Sequence, residues 1–376
     1  MNSICFVATT PFVVNAFLLT HLKALADWYS ITLCVNCSAY SLSERIDSRI
    51  RVVDFKIPRE ISLVRDLQAL LFLTSLFRSE QFSAVHSITP KAGLLAMLAA
   101  RFAGIRFRHH TFTGQVWAGR SGIARFLLKA FDRMIVHAAS QVFADSSSQC
   151  RFLEKERVIR SGGISVLGPG SISGVDLHRF LPDMESRSQV RAELDVGEDL
   201  CVFLFVGRLT KDKGIRDLVQ AFATVAAANP LVELWVVGPD EENLSKQEEQ
   251  RRPDEVGRMR WLGPKSHPER YMASADVLVL PSYREGFGSV IIEAAACAIP
   301  TIAYRIDGVI DAVAEDRTGI LVDVGDVESL AAAMLNISLD PDGRKRLGRE
   351  ALDRASKEFS AAVVTAEWLA LYKRLL

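Results

Sequence analysis

Residues 201–214 read Cys-Val-Phe-Leu-Phe-Val-Gly-Arg-Leu-Thr-Lys-Asp-Lys-Gly. Six apolar residues in a row, several of them β-branched or aromatic and closed by a glycine, predict a strand buried on both faces. Such strands belong to parallel sheets covered by helices. Gly207 permits a tight exit, Arg208 and Lys213 stand just past the strand end, and a helical pattern begins at Ile215. Phosphate suits that place: an arginine holds its oxygens bidentately and a lysine supplies a point charge. The motif alone is equally compatible with a solvated basic loop.

The same grammar repeats outward in both directions. Toward the C-terminus the apolar runs are Leu231–Val237, Arg258–Leu262, Val277–Leu280, Pro300–Ala303 and Gly319–Val322; toward the N-terminus they are Ser3–Ala8, Ser30–Val35, Arg51–Phe55, Ala84–Ser87 and Gln141–Ala144. Helical patterns separate them, which predicts an α/β protein with parallel sheets. Ser161–Gly174, rich in turn formers, reads as the connection between two such sheets. At roughly 100–200 residues per domain, the 376 residues accommodate two doubly wound, Rossmann-like domains facing across a cleft. The expected boundaries are 1–170 and 171–360, with the helical segment 361–376 following all strands and packing back on the first domain. Ligands of such sheets bind at the carboxyl ends of their strands.

A second motif occupies such an end. After Val277–Leu280 come Pro281-Ser282-Tyr283-Arg284-Glu285-Gly286-Phe287-Gly288-Ser289-Val290, then Ile291, Ile292, Glu293 and an alanine-rich helix. The glycines expose backbone N–H groups, and with the following helix N-terminus they form a site for an anion or for sugar hydroxyls. Glu285 and Glu293 bracket that site about two helical turns apart. Carboxylates there accept hydrogen bonds from polyols, so one pair can hold a hexose and a ribose at opposite ends of a diphosphate. Taken singly, Glu293 also reads as a helix-surface glutamate paired with a cation.

Composition bounds the rest. With 49% hydrophobic and 24% charged residues the chain is neither disordered nor fibrous. Lys plus Arg and Asp plus Glu are both 45, so net charge gives no argument for nucleic acid. Residues 1–150 nevertheless hold 16 basic against 9 acidic residues, and the remainder 29 against 36. A basic first half suits anionic lipid or a phosphorylated substrate, or is a chance imbalance. The six cysteines lie mostly in apolar runs, as in a reducing compartment, and Cys34-x-x-Cys37 lacks a second pair at zinc spacing. The N-terminus shows no secretory signal, and no apolar run reaches the ~18 residues of a membrane span. A cytoplasmic protein is expected. Gly122–Ala139 has Phe126, Leu127, Ala130, Phe131 and Met134 at helical spacing with Arg125, Lys129 and Arg133 interleaved. It reads as a helix lying on a membrane or as one packed on its own domain with its basic face in water.

The ordered set Gly207-Arg208, Lys213-Gly214, Val237-Gly238-Pro239, Trp261-Leu262-Gly263, Ala275-Asp276-Val277, Pro281-Ser282, Glu285-Gly286-Phe287-Gly288 and Glu293 resembles the retaining glycosyltransferases of family 4, most closely over Ser161–Asp326. The resemblance implies a GT-B fold with a nucleotide-sugar held by the C-terminal domain. By position, Arg208 and Lys213 would hold the diphosphate and stabilise the leaving nucleotide in place of a metal ion. Glu285 with the amides of Gly286, Phe287 and Gly288 would grip sugar hydroxyls, Ser289 and Val290 the phosphate, and Glu293 the ribose. Gly238, Leu262 and Gly263 would belong to the donor pocket, the last two lining the base.

The N-terminal half is similar to the subset of that family that assembles bacterial capsule, O-antigen and lipopolysaccharide on lipid-diphosphate carriers, through Thr89-Pro90-Lys91-Ala92-Gly93 and His109–Trp117 (HHTFTGQVW). Many members carry a histidine where this chain has Thr113, with His110 three residues earlier, and paired glycines where this chain has Thr9–Asn15. The resemblance implies His110 as an acid–base candidate, with Asn15, Lys91, Thr113 and Gln115 toward the acceptor. The implied reaction moves a hexose or N-acetylhexosamine from a nucleotide-diphosphate sugar, UDP-linked, to a lipid-diphosphate-linked saccharide at the inner face of the cytoplasmic membrane. No metal or other cofactor is implied. The alternatives are a GT-B epimerase or hydrolase acting without acceptor and a non-catalytic GT-B partner. A Rossmann dehydrogenase is disfavoured because no G-x-G-x-x-G follows the first strand.

Overall fold

The computed structural model describes residues 2–38, 41–57, 62–251 and 258–376. They form two compact units, one of residues up to Gly174 together with Ala361–Leu376, the other of Val175–Ser360.

The first unit is built on seven strands, β1 (Ser3–Ala8), β2 (Ser30–Val35), β3 (Arg51–Asp54), β4 (Ala84–Ile88), β5 (Phe107–Phe112), β6 (Gln141–Ala144) and β7 (Ile164–Val166). All pairs are parallel, in the order β3-β2-β1-β4-β5-β6-β7. The helices are α1 (Pro11–Phe17), α2 (Leu19–Leu25), α3 (Leu63–Glu80), α4 (Pro90–Phe102), α5 (Gly122–Ala138) and α6 (Ser147–Lys155). α4 packs between α3 and α5. Two strands were not expected from the sequence. β5, Phe-Arg-His-His-Thr-Phe, hides its strand character because its polar residues are buried. β7 is three residues long and lies within Ser161–Gly174, so that segment is not simply a linker: part of it completes the sheet edge.

The second unit has β8 (Cys201–Val206), β9 (Val232–Val237), β10 (Met259–Gly263), β11 (Val277–Leu280), β12 (Thr301–Tyr304) and β13 (Gly319–Val322). They are again all parallel, in the order β10-β9-β8-β11-β12-β13. Around them lie α7 (Met184–Glu193), α8 (Ile215–Ala228), α9 (Leu244–Arg251), α10 (Pro268–Ser274), α11 (Ser289–Ala296), α12 (Val309–Ala312), α13 (Val327–Leu339) and α14 (Pro341–Glu358). β8 and β11, apolar throughout, and β9, apolar but for Glu233, are buried along nearly their whole length, as a sheet covered on both faces requires. Asp276, at the start of β11, accepts from Val202 N–H (2.8 Å) and from the buried Arg191 (2.6 Å), so it ties the sheet to α7 rather than serving a ligand.

The last helix, α15 (Ala361–Leu375), belongs to the first unit. Trp368 stacks on His21 (ring centroids 5.2 Å apart) and on His86 (4.8 Å). Tyr372 Oη meets His86 Nδ1 and Thr365 Oγ1 meets His21 Nδ1, both at 2.8 Å. Chain order thus places α15 after the second sheet, while its aromatic side chains place it on the first.

Candidate active site

In the second sheet the strand order reverses between β8 and β11, and beyond the carboxyl ends of the strands at such a reversal is where sheets of this kind bind ligands. Two glycines let the loops close up. A Cβ on Gly214 (φ +68°) would lie 1.9 Å from the Pro281 carbonyl oxygen, and one on Gly238 (φ +147°) 1.7 Å from that of Gly207. Only a residue without a side chain fits either place.

The residues 211–214 therefore lie against the loop after β11, and a set of bonds fixes them there. Lys213 Nζ pairs with Glu285 Oε1 at 2.6 Å, with both side chains mostly shielded from solvent. Tyr283 N–H donates to the Asp212 carbonyl (2.9 Å), while Arg284 (2.8 Å) and Thr210 Oγ1 (2.5 Å) donate to the Asp212 carboxylate. Arg208 turns toward the segment after β9, where it pairs with Glu241 at 2.8 Å and both side chains are part-exposed.

Gly288, in the left-handed region at φ +78°, caps α11, whose first-turn amides of Ser289 and Val290 precede the helix's own hydrogen-bonding pattern. Between the glycines, Phe287 is buried against Phe359 (5.2 Å) and anchors the loop. Glu293 follows on the same helix. Desolvation pushes its carboxyl up to about 7, against the pull of Arg179 and with a push from Glu269. Leu262 and Gly263 end β10, where Gly263 accepts from Gly238 N–H (3.0 Å). Nearby in sequence, Trp261 Nε1 and Ser282 Oγ are enclosed without a hydrogen-bond partner.

The geometry brings Lys213 onto Glu285, four residues before α11, and turns the Arg208 side chain away to the segment after β9. Sequence reading missed Asp212, Tyr283 and Arg284. Their signal was only their position inside the two motifs, since their partners lie some 70 residues away (for Arg284 and Asp212, 72).

The first unit also reverses strand order, between β1 and β4, where Thr9 and Thr89 join by their hydroxyls at 2.6 Å. Lys91, in the first turn of α4, pairs with Asp66 at 2.7 Å. Asn15 binds the Ser41 carbonyl (3.1 Å) and accepts from Ser43 N–H (2.9 Å), so its amide holds the chain beyond β2. Gln115 is buried beside Gln149 (3.2 Å), and Thr113 is partly buried. His110 has no exposed surface. Its Nδ1 meets Ser87 Oγ at 2.9 Å, its ring fills the space beside Gly93, and desolvation pulls its pKa down to about 3. The acid–base role that the resemblance implied for His110 is at odds with this enclosure. Cys34 lies buried 3.6 Å from Cys5, while Cys37 is only partly buried beyond β2; among the described residues no three His, Cys, Asp or Glu side chains group as a metal site.

The sequence reads α5 as a helix lying on a membrane or as one packed on its own domain with its basic face in water, and its burial is mixed. Ile123, Phe126, Leu127 and Met134 are exposed, whereas Ile135 and Ala138 are buried. Arg125 and Lys129 fold inward onto Glu156 (2.7 and 2.6 Å). The helix thus turns much of its apolar stripe outward, because Asp132 and the packing of Trp117 occupy the inner side (Trp117 Nε1 to Asp132, 2.6 Å). Leu63, Val64, Leu67, Leu71 and Phe72 of α3 are exposed as well. No described helix is long and apolar enough to cross a membrane.

Two family models match the chain: a glycosyl transferase 4-like domain over residues 15–170 and glycosyl transferases group 1 over residues 186–354. A capsular polysaccharide biosynthesis glycosyltransferase of Staphylococcus aureus is 30% identical over 323 residues, 85% of this chain and 83% of that one. The Escherichia coli UDP-Gal:alpha-D-GlcNAc-diphosphoundecaprenol alpha-1,3-galactosyltransferase is 26% identical over 80% of this chain and 78% of its own length. Among solved structures, sucrose-phosphate synthase from Thermosynechococcus elongatus superposes with a TM-score of 0.83 at 21% identity, covering 100% of this chain and 99% of that one. Anabaena HepE in complex with UDP-glucose gives 0.82 at 20%, covering 100% of both. With two Rossmann-like parallel sheets and these relatives, the chain belongs to the group 1 glycosyltransferases and has their GT-B fold.

Proposed function

We propose that the enzyme moves a hexose or N-acetylhexosamine from a UDP-sugar to a hydroxyl of a lipid-diphosphate-linked saccharide, with the anomeric configuration retained and without a metal ion. The observation that carries this reading is the meeting of Lys213 and Glu285 beside the α11 N-terminus, at the reversal point of the second sheet. The donor and acceptor classes follow those for which the E. coli relative is named.

In this reading Lys213, Arg208 and the Ser289 and Val290 amides receive the diphosphate. Arg208 is released cheaply from Glu241, since an exposed ion pair is worth only about 0–1 kcal/mol. Glu285 with the Gly286–Gly288 segment orients the sugar, Glu293 accepts from the ribose hydroxyls, and Gly238, Leu262 and Gly263 shape the base pocket. As the bond from the anomeric carbon to the β-phosphate oxygen breaks, negative charge grows on the departing UDP and the fixed cations stabilise it. The acceptor oxygen bonds to the anomeric carbon on the same face, and its proton passes to the departing phosphate. His110, enclosed, is left out of that transfer. Lys91, Thr113, Gln115 and Asn15 belong to the side expected to meet the acceptor, Asn15 by shaping its loop.

The enzyme works in this reading as a cytoplasmic protein resting on the inner leaflet, with the exposed apolar residues of α5 and α3 in the headgroup region and the basic first half drawn to anionic lipid. Flotation with vesicles of anionic and of zwitterionic lipid tests this: binding to the anionic ones should weaken with salt and with Phe126→Ser. For the donor, thermal stabilisation across UDP-, GDP- and dTDP-sugars is the test, because a ligand that prefers the native state raises apparent stability. UDP-sugars should stabilise most. Release of free or altered sugar from donor alone, at a rate no acceptor increases, would favour an epimerase or hydrolase.

A further inference from the structure

One carboxylate oxygen outside the family motifs joins three neighbouring elements of the second unit. Asp217 lies in the first turn of α8, and its Oδ2 accepts from Tyr283 Oη (2.5 Å) and from Tyr304 Oη (2.7 Å). Tyr304 ends β12 and is wholly buried; Tyr283 sits in the loop after β11, two residues before Glu285, and is 45% exposed. The two rings pack edge to face at 5.7 Å. An exposed tyrosine pays rotamer entropy for being held in one place, so a bond this short to a carboxylate marks a fixed position. The bond also pushes the Tyr283 phenol up to about 12, so it stays a donor across the neutral range.

The loop needs such a hold. Its backbone is tethered on one side by Tyr283 N–H to the Asp212 carbonyl, and Arg284 reaches the Asp212 carboxylate. Those bonds fix it to the turn after β8, Lys213 of that turn holds the Glu285 carboxylate, and Phe287 packs on Phe359 beyond it. The phenol reaching Asp217 adds a hold from α8, two residues before Glu285.

We propose that Asp217 is a positioning residue for the sugar end of the donor, acting through Tyr283 to fix the Glu285 loop. This rests on the reading of Glu285 as the sugar-orienting group. Tyr304 shares the same oxygen from within the core, so its hydroxyl serves stability, whereas that of Tyr283 serves geometry.

The test compares Tyr283→Phe, Tyr304→Phe, Asp217→Ala and Asp217→Asn in three measurements: kcat with the most active UDP-sugar of the panel, affinity for UDP alone, and thermal midpoint. Small misplacement of a substrate-orienting group costs up to about a hundredfold in rate. Tyr283→Phe and Asp217→Ala should lower kcat by about tenfold or more on that basis, while UDP, which lacks the transferred sugar that Glu285 orients, keeps near wild-type affinity. Tyr304→Phe should lower the thermal midpoint and leave kcat close to wild type. Asp217→Asn, which keeps an acceptor oxygen, should recover part of the rate lost in Asp217→Ala. Wild-type kcat in Tyr283→Phe, or loss of UDP affinity in step with kcat, overturns the proposal while the functional reading stands. A wild-type enzyme that turns over no nucleotide sugar overturns that reading, and the proposal with it.

Discussion

Lys213 and Glu285 are 72 residues apart in the chain and 2.6 Å apart in space. The contact exists because two loops from neighbouring parallel strands emerge at one end of a sheet, and because Gly214 lets one rest on the other. In the proposed reading a shielded ion pair of this kind does two jobs: each charge compensates the other, and both meet the charges and hydroxyls of the donor.

The two jobs separate by a double-mutant cycle. Lys213→Met leaves a shielded carboxylate unpaired and Glu285→Gln leaves a shielded ammonium unpaired, so each should cost about 1–3 kcal/mol in denaturant unfolding, between the values of exposed and of buried pairs. The double variant removes both charges and should regain most of that stability. Activity should behave otherwise: all three should lose about a hundredfold or more, the scale on which a single fixed transition-state donor contributes. Additive stability losses would show that the two charges do not depend on one another.

Gly214→Ala tests the loop contact itself. The added methyl would meet a backbone oxygen at 1.9 Å, and backbone cannot rotate away as a side chain can. The φ of +68° adds a cost of about 1 kcal/mol for a residue with a Cβ. The variant should lose stability and should weaken UDP binding more than Gly104→Ala, where φ is also positive but the site is open. Equal effects on UDP affinity in the two would mean that the approach of the loops does not matter to the site.

Much of this was legible in the chain. The buried strands of the second unit announced themselves because a strand covered on both faces must be apolar throughout, and Cys201–Val206, Val277–Leu280 and Gly319–Val322 begin and end where the runs do. β5 was not legible, because its two histidines are polar by type yet buried. The motif residues Lys213, Glu285 and the G-F-G loop were found from local chemistry. Asp217 and Tyr304 were not, since what makes them matter is a shared oxygen between residues 87 apart. The outward turn of α5's apolar stripe was likewise invisible: periodicity gives a stripe but not which layer it faces.

Glu293 predicts a pH dependence with two opposite signs. Its carboxyl ionises near 7 in the fold, against an ordinary 4.5, because burial disfavours the charged form. Between those values the folded chain holds a proton that the unfolded chain has lost, so this group's contribution to ligand-free stability falls as pH rises from about 4.5 to 7. Affinity should move the other way, since the ionised carboxylate accepts from two ribose hydroxyls better than the acid does. UDP binding measured from pH 5.5 to 8.5 should strengthen as pH climbs through about 7. Glu293→Gln should remove that component and leave the titration of UDP's own phosphate. Identical slopes in the two proteins would take Glu293 out of the ribose site.

Acid should act on the first unit through its buried histidines. Burial lowers His21 and His109 to about 4 and His110 to about 3, and pulls His86 well below its usual range. All four are neutral in the fold at pH 6, where unfolded histidine is largely protonated. Each therefore contributes stability that is complete above about 6.5 and is lost as pH falls toward its folded value, at up to about 1.4 kcal/mol per pH unit. Two of these rings, His21 and His86, are those that stack on Trp368, so α15 should be among the first elements to loosen. Amide exchange in 361–375 should accelerate between pH 6 and 5 before exchange in β8 or β9 does. His109 separates charge from packing: neither of its ring nitrogens has a hydrogen-bond partner. His109→Leu should keep near wild-type stability at pH 7, where an unpaired buried polar group is replaced by an apolar one, and should lose less stability on acidification. An acid slope as steep as wild type in that variant would mean that His109 takes up no proton on unfolding, and that the other three carry the whole effect.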